Sequence, residues 1–228
     1  ESQGEPIQVV KSHKHLGLQL NDRANWSDHI AYLVSKVSKR IGILRSLKYK
    51  LNRNSLKTIY LTHIRSLLEY CDIVWDNCTS EESLTLERLQ LECIRIISGL
   101  PRFCSLVSLY SESGFEPLLE RRKQHGLTSL SKVVHRPFPS YMTSSIPELN
   151  GDDSSRNNRL YYTFHLEKHR TELHKQSFVP RTINEWNRLD PSIRSSDCIS
   201  TFKRLLKPPP LPRQTLYERS RFSSIMFT

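Results

Sequence analysis

The chain of 228 residues has few glycines, and one long segment of it has no acidic residue. Seven scattered glycines do not form a glycine-rich phosphate-binding loop. From His29 to Leu68 there is no aspartate or glutamate, although lysine and arginine recur throughout. No apolar run is long enough to cross a bilayer as a helix. The sequence therefore argues against a P-loop enzyme and against a membrane partner, and it leaves a basic segment with no acids of its own.

The five cysteines lack the spacing of a metal site or of a disulfide framework. They are Cys71, Cys78, Cys93, Cys104 and Cys198. No pair has the two-residue spacing of a zinc knuckle, and no histidine follows at ligand distance. The odd number and wide spacing predict reduced, mostly buried thiols in an intracellular protein. We expect no metal and no other cofactor in this chain.

Residues arranged for catalysis are also missing. Asp152 and Asp153 are adjacent carboxylates, but small polar residues flank them instead of the apolar strands that hold metal-binding aspartates rigidly. A solvated loop is the better interpretation. His165, His169 and His174 follow no metalloprotease pattern and are interpreted as surface groups. We assign no catalytic residue and expect no enzymatic activity from this chain alone.

Positive charge is abundant and is concentrated in one place. Between Lys11 and Lys57 there are eleven lysines and arginines against Asp22 and Asp28, which gives +9 of the total net charge of +11. A charge this local and one-sided favours a surface that faces phosphates. The alternative is an ordinary solvated face with no specific ligand.

The apolar periodicity predicts a mainly α fold with a short β-hairpin at its N-terminus. The segments IQVV and HLGLQL read as two short strands, and Gly17 marks a bulge or a close backbone approach. A helix is predicted to begin at Ser27 as its N-cap. Its core face is predicted to hold Ile30, Val34, Val37, Ile41 and Leu44, and a separate strip holds Tyr32, Lys36 and Lys39. Tyr32 could serve nucleic-acid contact or plain packing.

Later segments predict three more helices in a bundle and a smaller helical part. Asn54 or Ser55 is expected to cap the second helix, whose apolar face is predicted to hold Leu56, Tyr60, Ile64, Leu67 and Cys71. A Thr79–Glu82 capping box opens the third helix, Gly99 and Pro101 end it, and Pro117 opens the fourth. Trp75 and Trp186 are expected to be buried anchors of the two parts. The predicted organisation is a β-hairpin at 1–26, a helical bundle at 27–135, a linker or long loop at 136–158, a small C-terminal helical subdomain at 159–207 and a Pro-rich, disordered tail at 208–228.

Six motifs in order carry a family resemblance. They are KHLGLQL, NWSDHI, LLEYCDIVWDN, LERLQLECIRIISGLP, LLERRKQHGL and the closing block FVPRTINEWNRLDPSIRSSDCISTFKRLL. Together they resemble the region that follows the catalytic palm in reverse transcriptases of jockey-like non-LTR retrotransposons. His15 stands where the family has Tyr or Phe, and Asp190 intervenes before Pro191 in the closing block. These departures suggest a diverged copy.

The resemblance implies a function for the basic segment. The chain would be a piece of an RNA-directed DNA polymerase that begins after the palm, with Mg²⁺ bound only in that palm. The primer grip would consist of Lys14, His15, Leu16 and Gly17 in the β-hairpin, and the helical bundle at 27–135 would be thumb-like. The expected contacts to the nucleic-acid backbone are Lys36, Lys39, Arg40, Arg45, Lys48, Lys50 and Arg53. The partners would be an RNA and DNA template–primer duplex and the upstream palm, and the location would be cytoplasmic and nuclear.

Two other classes of function remain open. One is a stand-alone helical module that binds nucleic acid with little sequence preference. The other is a structural or protein-interaction helical domain whose basic face is incidental. Salt dependence of binding separates them, because binding through several phosphates weakens steeply with salt.

Overall fold

A computed structural model gives the fold of the chain as mainly α with a two-stranded antiparallel hairpin near the N-terminus, as the sequence predicts. The residues it describes are 9–101, 103–135, 145–147, 163–165, 168 and 170–207. The contacts divide the chain into two units, residues 1–70 with 78–100 and residues 71–77 with 101–228. Over the described ranges, no helix combines the length and the apolar character needed to cross a membrane.

The hairpin of the first unit pairs β1, Ser12–His15, with β2, Leu18–Asn21. His15 lies opposite Leu18, so Leu16 and Gly17 form a two-residue turn. Both have positive φ, +45° and +87°, as a type I′ turn requires. HLGLQL is therefore the end of one strand, a turn and the start of the next, and the interpretation of Gly17 as a strand bulge was wrong.

Helix α1 spans Ser27–Leu47 and supplies one side of the first unit's core. The helix begins where the sequence predicted, but its N-cap position is Trp26 and no side chain caps it, so the assignment of Ser27 as the cap was wrong. The buried residues of α1 are His29, Ile30, Leu33, Val37, Ile41 and Leu44. Four of the five predicted core residues are among them, while Val34 is only half-buried.

The next helical stretch changes its winding partway along. Helix α2, Arg53–Ile59, continues as a π-helical segment, Tyr60–Arg65, and then as α3, Ser66–Leu68. Asn52 caps α2 by accepting a hydrogen bond from the Ser55 backbone amide, not Asn54 or Ser55 as predicted. The wider π turn shifts the buried face, so Leu68 is buried where a regular helix would bury Leu67.

Helix α5, Ser80–Ser98, packs along α1 and completes the first unit. Thr79 and Glu82 form the predicted capping box, and Gly99 ends the helix in the left-handed conformation. Buried Tyr60 donates a hydrogen bond to Gln90 Oε1 at 2.5 Å, which links the π segment to α5. Local signals in the sequence were therefore sufficient for both ends of α5.

The second unit contains short helix α4, Asp72–Trp75, and all the helices that follow α5. These are α6 Leu106–Ser113, α7 Leu118–His135, α8 Glu172–Gln176, α9 Phe178–Asn187, α10 Pro191–Arg194 and α11 Ile199–Leu206. Helix α7 begins directly after Pro117, as predicted. The sequence did not predict α4 or α6 as separate helices.

The core of the second unit forms where α7 packs against α9 and α11. Trp186 stacks on Phe202 with ring centroids 5.3 Å apart. Phe164 packs against Trp186 in an edge-on arrangement with ring centroids 5.9 Å apart. Trp75 and Trp186 are both fully buried, as predicted. Both belong to this unit, so they do not anchor two separate parts. The structure also groups α7 with the C-terminal helices, whereas the sequence placed it in a bundle ending at residue 135.

The cysteines differ in part from the prediction. All five are free thiols, but only Cys93 is buried, while Cys71 and Cys198 are exposed. The prediction of mostly buried thiols was therefore wrong. The predicted linker at 136–158 lies largely outside the described residues, and Asp152, Asp153 and the tail at 208–228 lie wholly outside them.

Candidate nucleic-acid interface

The tip of the hairpin is held in a strained conformation. Leu16 has φ +45°, a backbone region that bulky residues rarely occupy, and its side chain is 77% exposed. The Tyr70 hydroxyl donates a hydrogen bond to the Leu16 carbonyl oxygen at 2.8 Å. A Cβ at Gly17 would lie 3.2 Å from Cε1 of the same tyrosine ring. The close approach expected at Gly17 is thus an approach to Tyr70, which holds the turn in place.

Lys14 of the hairpin and Lys36 of α1 converge on Tyr32. Their Nζ atoms lie 5.5 Å and 4.6 Å from the centroid of the tyrosine ring. A hydrogen bond from Lys36 lowers the pKa of the Tyr32 phenol, and the charge of Lys14 acts in the same direction. Two ammonium groups from separate elements therefore flank one half-exposed aromatic ring, an arrangement that suits a phosphate beside a sugar or base.

His29 connects the hairpin to α1 beneath this cluster. Its ring stacks on Tyr32 at 6.3 Å, and Trp26 contacts it edge-on at 6.1 Å. The Gln19 backbone amide of β2 donates a hydrogen bond to His29 Nδ1 at 3.4 Å. Burial lowers the pKa of His29, which favours the neutral ring. A neutral imidazole can accept this bond, so the hairpin's position against α1 depends on His29.

The basic residues of α1 divide into two groups. Lys36 and Lys39 are exposed and available to solvent. Arg40, in contrast, donates a hydrogen bond to the His63 carbonyl oxygen of the π segment. Arg45 forms an ion pair with Glu92 of α5. Two of the three arginines of the predicted interface, Arg40 and Arg45, thus bind other groups of the first unit and brace α1.

Beyond α1 an exposed tyrosine lies among basic residues along the chain. Tyr49 is 89% exposed, and Lys48 Nζ lies 5.5 Å from its ring centroid. Lys50 and Arg53 are exposed on the same short segment. The structure therefore adds Tyr49 to the candidate interface. Its position in the basic turn KYKLNRN was the available signal, but the sequence alone does not show whether a tyrosine is buried.

Three of the motifs that carry the family resemblance meet within the second unit. Arg122 Nε donates to Asp76 Oδ1 at 2.6 Å, and Arg181 lies 3.2 Å from Asp76 Oδ2. His125 Nδ1 lies 2.6 Å from Asp72 Oδ2. Burial raises the pKa of Asp76, and the two guanidinium groups oppose that rise. This largely buried network fixes α4 against α7, and we interpret it as structural.

Metal-ligating side chains do not assemble elsewhere in the described part of the chain. No group of three or more histidine, cysteine, aspartate or glutamate side chains with the geometry of a metal site occurs there. Comparisons with protein-family models, with curated proteins and with solved structures found no match. The features of the chain that bear on its function are therefore the geometry of the basic segment and the sequence motifs.

Proposed function

We propose that this chain is the template–primer-binding region of an RNA-directed DNA polymerase of the non-LTR retrotransposon type. The first unit would act as the primer grip and thumb. An upstream palm domain would supply the metal-binding aspartates and Mg²⁺, so the chain alone would carry no polymerase activity. Its partners would be RNA and DNA as a template–primer duplex and that palm, and the parent enzyme would work in the cytoplasm and the nucleus.

The observation that carries the proposal is the convergence of Lys14 and Lys36 on Tyr32. By the family resemblance, Lys14 would belong to the primer grip and Lys36 to the basic thumb helix. Cations on two elements around one aromatic ring match the need to hold a sugar-phosphate backbone at the junction of grip and thumb. Phosphate contacts of this kind support processive binding without selecting a sequence.

Two other functions fit parts of the same surface. A stand-alone module that binds nucleic acid without sequence preference would use the same cations. A structural or protein-interaction domain would leave them solvated. The absence of acids from 29 to 68 favours the nucleic-acid readings over the third, because a solvated face usually carries both signs of charge.

A salt titration of binding to an RNA–DNA duplex tests the proposal. The variant changes three exposed lysines of the hairpin and α1, Lys14, Lys36 and Lys39, to glutamine together. Each lost phosphate contact lowers the steepness of the plot of log binding constant against log salt concentration by roughly 0.7 to 0.9. The triple variant is therefore expected to flatten this slope by about 2 to 3. Affinity is expected to fall similarly for unrelated sequences, because phosphates carry no base information.

Arg45→Gln is the matched control. It removes one positive charge from the same helix, but this arginine is already paired with Glu92. The salt slope of the Arg45→Gln variant is expected to change by less than the loss of one exposed lysine would change it. Circular dichroism checks that each variant is folded. An unchanged slope in the folded triple variant would show that the exposed lysines are a solvated face and would move the structural alternative ahead.

A further inference from the structure

Among the large side chains of the first unit, Tyr49 is unusual in its exposure. It follows α1 in the turn that leads to α2, and 89% of its surface is accessible. An exposed tyrosine by itself needs no explanation. Here, however, the ring lies within a segment that has cations at Lys48, Lys50 and Arg53 and no acid. The surroundings therefore attract a polyanion to the position of an accessible aromatic face.

The contact with Lys48 leaves the ring accessible. The Lys48 ammonium is 5.5 Å from the ring centroid, within reach of a cation–π interaction, yet the tyrosine remains almost wholly exposed. A nucleobase that is not in a base pair presents a flat π face of matching size. Single-strand binding sites combine these two features, a cationic path for the backbone and aromatic rings on which bases stack.

We propose that Tyr49 is a stacking platform for an unpaired base of single-stranded nucleic acid, with Lys48, Lys50 and Arg53 holding the adjoining phosphates. This inference rests on the proposed function and deepens it, since it assigns a single-stranded segment to the turn beyond α1. A base inside a duplex is stacked on its own neighbours and is not available to this ring. Tyr49 is therefore expected to distinguish single strands from duplexes.

The test compares Tyr49→Ala with wild type on a single-stranded oligonucleotide that carries a fluorescent aminopurine and on an RNA–DNA duplex. Loss of base–aromatic stacking is expected to weaken single-strand binding by about 5- to 150-fold. Duplex affinity is expected to change by less than about 2-fold, since paired bases do not stack on the ring. Wild type should quench the aminopurine fluorescence on binding, and the alanine variant should not.

Two control variants make the test specific. Tyr49→Phe keeps the ring and removes the hydroxyl, so it should bind single strands and quench as wild type does. Phe103→Ala removes an aromatic ring that is 97% exposed in the second unit, and it should leave single-strand binding unchanged. Retained affinity and quenching in Tyr49→Ala would overturn the stacking proposal while leaving the proposed function intact. A wild-type chain that bound neither nucleic acid would overturn both.

Discussion

Two glycines show how the same residue type can have opposite roles within one unit. Gly17 has φ +87° at the tip of the hairpin and lies against the ring of Tyr70. Gly42 lies within α1, where an added Cβ would have nothing within 4 Å. The first position requires a residue without a side chain. Gly42 only weakens α1, because glycine in a helix interior loses more backbone freedom on folding than alanine does.

Alanine substitutions at these glycines are therefore expected to have opposite signs. Gly17→Ala is expected to destabilise the chain by about 1–2 kcal/mol, because alanine is strained at positive φ and its Cβ crowds the Tyr70 ring. Gly42→Ala is expected to stabilise it by about 0.5–1 kcal/mol. Urea denaturation monitored by circular dichroism measures both. A Gly17→Ala variant as stable as wild type would mean that the turn is not formed as described.

Elements in this chain begin and end at local signals, while their buried faces depend on winding. The stretch from Arg53 to Leu68 illustrates the second point. Its apolar residues predict a regular helix that buries Leu67, but the π segment adds residues to one turn and turns Leu68 inward instead. Arg40 donates to the carbonyl oxygen of His63 within that wider turn. The winding and the side chain that braces it thus belong to the packing of α1 against this stretch.

The capping box of α5 provides a test at the scale of one element. Glu82 N donates to Thr79 Oγ1 at 3.3 Å, and Thr79 N donates to Glu82 Oε2 at 2.8 Å. Thr79→Ala removes the first bond and is expected to cost about 0.5–2 kcal/mol of stability.

Thr85→Ala is the matched control for this prediction. Thr85 lies inside α5 and its hydroxyl only donates to the Glu81 carbonyl oxygen, which already belongs to the helix. Alanine is the better helix former there, so the change is expected to be near zero or slightly stabilising. Thermal denaturation of both variants provides the measurement. Equal losses in the two variants would count against a capping role for Thr79.

At the scale of the whole molecule, the second unit contains a largely buried charge network that joins α4, α7 and α9. Arg122 is 2% exposed, lies 5.5 Å from the centroid of the Trp75 ring and donates to Asp76. Arg181 of α9 reaches the other oxygen of Asp76. Such networks do not by themselves increase stability, because desolvating the charges offsets their attraction. Removing one partner of a buried pair lowers the free energy of unfolding, because the remaining charge stays buried without compensation.

Arg122→Met is accordingly expected to destabilise the chain by about 3–5 kcal/mol, because Asp76 would keep a single cationic partner. Arg188→Met is the control, since Arg188 is exposed and pairs with Glu185 at the surface, and its loss should be much smaller. Chemical denaturation of the full chain compares the two. Similar midpoints for both variants would show that the Arg122 pair is not a central part of the second unit.

The sequence by itself determined the features that depend on neighbours a few residues apart. Helical periodicity predicted the mainly α fold and most of the buried face of α1, and the Thr79–Glu82 spacing and Gly99 marked both ends of α5. The lack of acids beside the basic residues was also visible directly. The helical signals depend on local helix geometry and the lack of acids depends on composition, so neither required knowledge of the tertiary structure.

Only the tertiary structure decided which basic residues are available and how the hairpin is held. Tyr70 binds the Leu16 carbonyl oxygen across 54 residues, and Arg122 binds Asp76 across 46. Arg40 and Arg45 resemble Lys36 and Lys39 in sequence, yet packing against the π segment and α5 engages the two arginines internally. The reason is physical: charge and periodicity describe a residue's own position along the chain, whereas a partner distant in sequence is set by how the helices pack.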